Sequence, residues 1–151
     1  MKKLVLIFLS LAFIMMSCGV SFAETTNLRL TYIHSAENYI SKGDLVSAEK
    51  EVKKVLAQNA NDQLAIRILA KINRRQFEIT KQRNFLELAK AEIEKSSMLS
   101  PNDLYGNVEA ALIYYDLKDK AKAMKAIDLA IKIDPQNNVW KRIKAQIQSL
   151  P

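Results

Sequence analysis

The fold is decided by two stretches of the chain that share one pattern. Residues 32–55 read YIHSAENYISKGDLVSAEKEVKKV, and residues 111–135 read ALIYYDLKDKAKAMKAIDLAIKIDP. Each carries two alanines twelve residues apart with a Tyr and an Asp between them: Ala36 with Ala48, and Ala111 with Ala123. Small residues at such matched positions let two antiparallel helices approach closely. The chain also has only three Gly and three Pro in 151 residues, which favours helices.

This pattern resembles the tetratricopeptide repeat, a helix–turn–helix unit of about 34 residues. Pro101 precedes Pro135 by 34 residues, which indicates a further repeat between the two stretches. Repeat positions in the middle segment can be numbered onward from the first repeat or backward from Pro135, and the two numberings disagree by seven residues. The middle repeat is therefore expected to carry about two extra helical turns, around residues 77–84.

The resemblance implies an all-α fold, a right-handed superhelical stack of about three antiparallel helix pairs. The repeats are expected at about 29–62, 63–103 and 104–137. An amphipathic pattern near the end of the chain predicts a C-terminal capping helix over 138–150. Together these elements form one domain over residues 24–151.

The turns within the pairs have their own signals. Asp44 and Asp119 stand where the second helix of a pair begins, where a short acidic side chain accepts hydrogen bonds from the first turn. Gly43 precedes Asp44 and relaxes the backbone of the turn. Asn137 or Asn138 is placed to cap the last helix.

Residues 1–23 predict a secretory signal peptide. Two lysines are followed by an apolar run from Leu4 to Met16, and Ser21 and Ala23 place small residues before a cut at Glu24. The protein is therefore expected to be exported, to the periplasm or the cell envelope.

Two alternatives to cleavage after Ala23 stay open. Ser17 and Cys18 resemble a lipobox, although Met15 departs from its usual Leu, and Cys18 would then be lipidated. The uncharged run from Leu4 to Ala23 is also just long enough to span a bilayer as an uncleaved anchor.

Catalytic and metal-ligating residues are scarce. His34 is the only histidine and Cys18 the only cysteine, so neither a metal site nor a nucleophile–base pair can be assembled from them. No enzyme activity and no cofactor are expected. The formal net charge of +7 weakly favours acidic partners, while the export signal argues against nucleic acid.

The resemblance also implies a concave groove lined by the first helix of each pair. The residues predicted to line this partner-binding groove are Ile33, Glu37, Arg67, Lys71, Arg74, Tyr105, Val108, Leu112 and Tyr115. Arg67, Lys71 and Arg74 fall on one helix face, where three cations could hold an acidic peptide or a C-terminal carboxylate. A solvated basic face is the alternative.

The predicted function is an exported protein–protein interaction scaffold that binds a protein or peptide segment in this groove. The alternative is a membrane-anchored lipoprotein subunit of a permanent envelope complex, such as a pilus, secretion or envelope-biogenesis assembly. Changing both Arg67 and Lys71 to Glu is expected to weaken binding and to leave the fold intact.

Overall fold

The computed structural model describes residues 27–151, and within this range it contains helices and no strand. The predicted signal peptide, Cys18 and the possible anchor lie outside the described residues. The chain is helical from residue 27 to residue 41, which we call α1. The helices that follow are α2 (Leu45–Gln58), α3 (Gln63–Thr80), α4 (Arg83–Leu99), α5 (Leu104–Asp116), α6 (Lys120–Ile133) and α7 (Asn138–Gln148).

The helices stack in chain order. α3 packs on α4 and α5 on α6, while α2–α3 and α4–α5 contacts join neighbouring pairs. One core cluster lies between α1, α2 and α3, and the second runs from α3 to α7. The four alanines of the repeated pattern, Ala36, Ala48, Ala111 and Ala123, are all fully buried. Their small side chains let the helices of each pair approach closely.

The predicted caps are confirmed. Asp44 accepts a hydrogen bond from the Ser47 backbone N–H at 3.0 Å, and Asp119 accepts one from the Lys122 N–H at 3.0 Å. Asn137 caps α7 through the Val139 N–H. These bonds satisfy donors that have no partner within their own helix.

The turns of the first and third pairs share one backbone conformation. Gly43 has a φ of 79°, and Lys118 occupies the left-handed region with a φ of 63°. Glycine adopts this region freely, whereas a residue with a Cβ pays a conformational cost.

The middle pair has the longest helices, with 18 residues in α3 and 17 in α4. The helices of the third pair have 13 and 14 residues. The additional length lies on both sides of the turn at Lys81 and Gln82, and the end of α3 lies beside the turn that joins α1 to α2.

α7 closes the last repeat. It packs on α6 and buries Ile147 completely, and the Trp140 indole N–H donates to Asp134 at 3.3 Å. Among the described helices, none combines the length and apolar character that a membrane crossing needs.

Candidate functional site

Side chains of α1, α3 and α5 enclose a cavity of about 250 Å³ on the side where the first helices of the pairs meet. We call it the central pocket. Its lining residues are Glu37, Arg67, Ile68, Lys71, Arg74, Arg75, Tyr105, Val108, Glu109 and Leu112. Seven of the nine predicted groove residues are therefore together: Glu37, Arg67, Lys71, Arg74, Tyr105, Val108 and Leu112.

A larger cavity of about 570 Å³, which we call the lateral pocket, lies beside it. It is lined by Glu37, Ile40, Ser41, Lys42, Gly43, Leu45, Lys71, Arg75, Glu78 and Ile79. Glu37, Lys71 and Arg75 line both cavities, so the two pockets form one continuous surface.

Two predicted residues lie elsewhere. Ile33 is only 2% exposed and belongs to the core between α1, α2 and α3, because α1 turns this side chain inward. Tyr115 is half-buried and lines neither pocket, and the Lys118 amine lies 5.2 Å from the centre of its ring. The prediction that Ile33 lines the groove is wrong, because its side chain is buried. Tyr115 stays a predicted groove residue that lies outside both pockets.

Arg74 has a structural role that the sequence prediction missed. It is only 6% exposed, and its Nε donates to Glu109 at 2.6 Å. Its Nη1 also bonds Glu78 and lies 3.7 Å from Asp116. Although burial lowers its pKa, the carboxylates raise it above its usual value, led by the charge of Glu109. The charge of Arg74 is thus compensated within the protein, so this residue is not a free cation for a ligand.

Arg67 is partly engaged by the protein. Its Nε lies 3.3 Å from an oxygen of Asp103, yet this atom is buried and makes no hydrogen bond. The same Asp103 oxygen accepts a hydrogen bond from Gln63 at 2.8 Å. The guanidinium carbon of Arg67 is 5.5 Å from the centre of the Tyr105 ring, within the range of a cation–π contact. Arg67 therefore helps to hold Tyr105 at the wall of the central pocket.

Lys71 differs from its neighbours. It is half-buried at the junction of the two pockets, and it forms no salt bridge with any carboxylate in residues 27–151. Arg75, one turn away, pairs with Glu78 at 2.8 Å. Of the three cations predicted to form this row, Lys71 is the one that has no salt bridge to the part of the chain that the structure describes, and Glu37 lines the same two pockets.

Sequence reasoning missed much of the lateral pocket. Lys42 and Leu45 come from the turn after α1 and the start of α2, and Glu78 and Ile79 from the extended end of α3. None belongs to the set of first-helix positions from which the groove was predicted. The seven-residue surplus of the middle repeat was the only available signal, and it marked the place without showing that a cavity forms there.

Other chemistry is sparse in the described residues. His34 is exposed on α1. Residues 27–151 contain no group of three or more His, Cys, Asp or Glu side chains placed to hold a metal ion.

Comparison with known proteins supports the repeat interpretation. Residues 106–137 match the family model for the tetratricopeptide repeat. No curated protein matches the sequence.

Several solved structures share the fold. The first TPR of Spaghetti bound to the HSP90 peptide SRMEEVD has a TM-score of 0.70 at 12% identity, covering 81% of this chain and 94% of that one. The TPR2B domain of yeast Sti1 in a pHsp70 complex has a TM-score of 0.68 at 15% identity, covering 82% and 98%. An O-GlcNAc transferase of Thermobaculum terrenum has a TM-score of 0.70 at 11% identity, but only 22% of that chain is covered. At these identities the likeness establishes the fold.

Proposed function

Because this chain folds as a tetratricopeptide repeat domain, we propose that it is a protein-interaction scaffold that binds a segment of a partner protein along the surface of α1, α3 and α5. The observation that carries the proposal is the pair of adjoining pockets with Lys71 at their junction, where it forms no salt bridge with residues 27–151. A continuous concave surface of this kind suits an extended peptide better than a compact small molecule.

The charge on this surface favours an acidic group in the ligand at one point. Arg67, Arg74 and Arg75 each form a salt bridge within the protein. Lys71 forms none with residues 27–151, although Glu37 lines the same two pockets. A carboxylate of the bound segment would be the missing partner of Lys71 and would form a charge-assisted hydrogen bond. We therefore expect one acidic residue or a C-terminal carboxylate at this position, not a uniformly acidic segment.

Apolar side chains supply the other contacts. Tyr105 is 58% exposed at the edge of the central pocket, and Val108 and Leu112 lie beside it along α5. Aromatic and aliphatic groups beside charged ones are typical of recognition sites that combine affinity with orientation. The complex of the Spaghetti domain with an HSP90 peptide and the pHsp70 complex of the Sti1 domain support partner binding by a stack of this fold.

The proposal can be tested in cells with a photo-crosslinking amino acid placed at either of two positions. Tyr105 lines the central pocket, whereas Met98 is 79% exposed on α4 and lines neither pocket. The crosslinker at Tyr105 should capture one protein repeatedly, and a peptide map should place the link in one short segment. Capture of the same proteins from both positions would contradict binding at this surface.

We further propose that the protein is exported and cleaved after Ala23, on the strength of the leader sequence. N-terminal sequencing and the intact mass of the mature protein test this directly. A chain that begins at an acylated Cys18 would instead support a lipid-anchored subunit of an envelope complex.

A further inference from the structure

The extended end of α3 distinguishes this stack from one of uniform repeats. α3 has 18 residues, against 13 in the equivalent helix α5, so its last turn lies beside the turn that joins α1 to α2. Glu78 and Ile79, in that last turn, form one wall of the lateral pocket. The additional length of the middle repeat therefore supplies one wall of the lateral pocket.

Ile79 is poorly placed for a purely structural role. Its side chain is 69% exposed, and it belongs to neither core cluster. It faces the same cavity as Ile40, which is half-buried, and Leu45, which is 5% exposed. An exposed apolar side chain beside a cavity with an apolar floor is more typical of a recognition site than of an ordinary solvent-facing helix end.

The position of Lys71 links the two pockets chemically. Because its ammonium group lies at their junction without a carboxylate partner in the described residues, a ligand carboxylate bound there has one pocket on each side. An extended peptide places neighbouring side chains a few ångströms apart along its length. Side chains near the acidic residue of the ligand can therefore enter the lateral pocket.

We propose that the α3 extension forms a specificity subsite for a large apolar side chain of the bound segment, close in sequence to the carboxylate held by Lys71. The inference rests on the proposed function, because it concerns a ligand of the same surface. It names the partner's chemistry: an acidic residue or C-terminal carboxylate with a Leu, Ile, Met or Phe at one fixed spacing from it. The charge complementarity at Lys71 sets the register, and the lateral pocket selects the apolar residue.

A phage-displayed library of random peptides, panned against the full chain, tests the inference. Enriched peptides should share an acidic group and a large apolar residue at one fixed spacing. Synthetic versions are then titrated against the wild type, Lys71→Glu, Ile79→Ser and Met98→Ser. Met98→Ser is the matched control, because it removes an exposed apolar side chain outside both pockets, with 79% exposure against 69% for Ile79.

We expect Ile79→Ser to weaken binding by about fivefold and Lys71→Glu by at least about tenfold, while Met98→Ser leaves it unchanged. Replacing the apolar peptide residue with Ala should weaken binding to the wild type by the same factor. It should hardly change the affinity for Ile79→Ser, because the peptide side chain and Ile79 contact each other. Peptides that need Lys71 but bind Ile79→Ser as tightly as wild type would overturn the subsite and leave the proposed function standing. Failure to enrich any peptide that depends on Lys71 would overturn both.

Discussion

Two equivalent turn residues differ in how well they suit their backbone. Gly43 and Lys118 both have positive φ angles, and a Cβ added at Gly43 would meet no atom within 4 Å. The cost of a side chain there is therefore conformational and amounts to about 1 kcal/mol. The third repeat carries this cost at Lys118, offset in part by the contact of its amine with the Tyr115 ring.

Lys118→Gly should therefore raise the free energy of unfolding by about 0.5–1 kcal/mol, and Gly43→Ala should lower it by about 1 kcal/mol. Urea denaturation followed by circular dichroism measures both changes. A destabilised Lys118→Gly variant would mean that the cation–π contact outweighs the backbone strain.

Ala123 tests the close approach of α5 and α6. Its side chain is fully buried, and an Arg there would combine overpacking with an unpaired buried charge, at a cost of at least about 2–4 kcal/mol. Ala121 lies on the same helix and is exposed, so Ala121→Arg is the control. A melting temperature of Ala123→Arg equal to that of the control would refute the repeat alignment on which the fold prediction stands.

At this scale the sequence predicted the small residues and the caps because they satisfy local requirements of helix pairs. It failed for Ile33 and Arg74 because burial depends on what a neighbouring helix places opposite. Arg74 is neutralised by Glu78 from the extension of its own helix and by Glu109 from α5. Spacing along one helix could not reveal the second of these partners.

At the scale of the elements, a half-buried carboxylate lies where α2, α3 and α4 meet. Glu92 on α4 accepts a hydrogen bond from the Asn73 amide at 2.8 Å. The pKa of Glu92 is raised to about 7, mainly by burial. The Asn73 hydrogen bond and the charge of Lys53 on α2 lower the pKa, and the charge of Glu49 on α2 raises it. Glu49 and Lys53 pair with each other at 2.6 Å.

Because the folded-state pKa of Glu92 exceeds its usual value near 4.5, its stabilising contribution is present at low pH and is lost as the pH rises through about 7. Lowering the pH from 8 to 6 should therefore raise the free energy of unfolding by about 1 kcal/mol, which corresponds to a rise of roughly 4 °C in the melting temperature. Glu92→Gln should be more stable than wild type at pH 8 and should remove most of this pH dependence. Glu87→Gln, exposed on the same helix, is the control, and an unchanged pH dependence in Glu92→Gln would contradict the assignment.

The length of the middle repeat was the most informative sequence feature at this scale. The two repeat counts located seven additional residues near 77–84, and the structure has its longest helices on either side of the turn at Lys81 and Gln82. The sequence could not show that the α3 extension would meet the turn after α1, because that contact joins different repeats.

At the scale of the whole molecule, the all-α stack could be predicted because the repeated pattern is specific in the first and third repeats. The surface of the stack was predicted less well. Seven of the nine groove residues do line the central pocket, yet the basic row is largely compensated by Asp103, Glu78 and Glu109. A net charge of +7 therefore does not make this surface uniformly basic.

The distribution of ion pairs decides which charge reversal tests binding without disturbing the fold. Arg67→Glu would place a carboxylate beside Asp103, whose own carboxylate accepts a hydrogen bond from Gln63, so the double change with Lys71 would disturb the packing of α3 on α5 as well as the surface. Lys71→Glu alone breaks no salt bridge with the described residues.

Recognition at the junction of the two pockets is tested by titrating the captured partner segment against wild type, Lys71→Glu and Lys50→Glu at two salt concentrations. Lys50 is exposed on α2 and lines neither pocket, so its reversal changes the net charge equally. We predict that Lys71→Glu binds the segment at least about tenfold more weakly than wild type, a loss of about 1.4 kcal/mol in binding free energy. Lys50→Glu should bind with the wild-type affinity, and added salt should weaken the wild-type complex. Equal affinity of wild type and a correctly folded Lys71→Glu variant would contradict recognition at the junction of the two pockets.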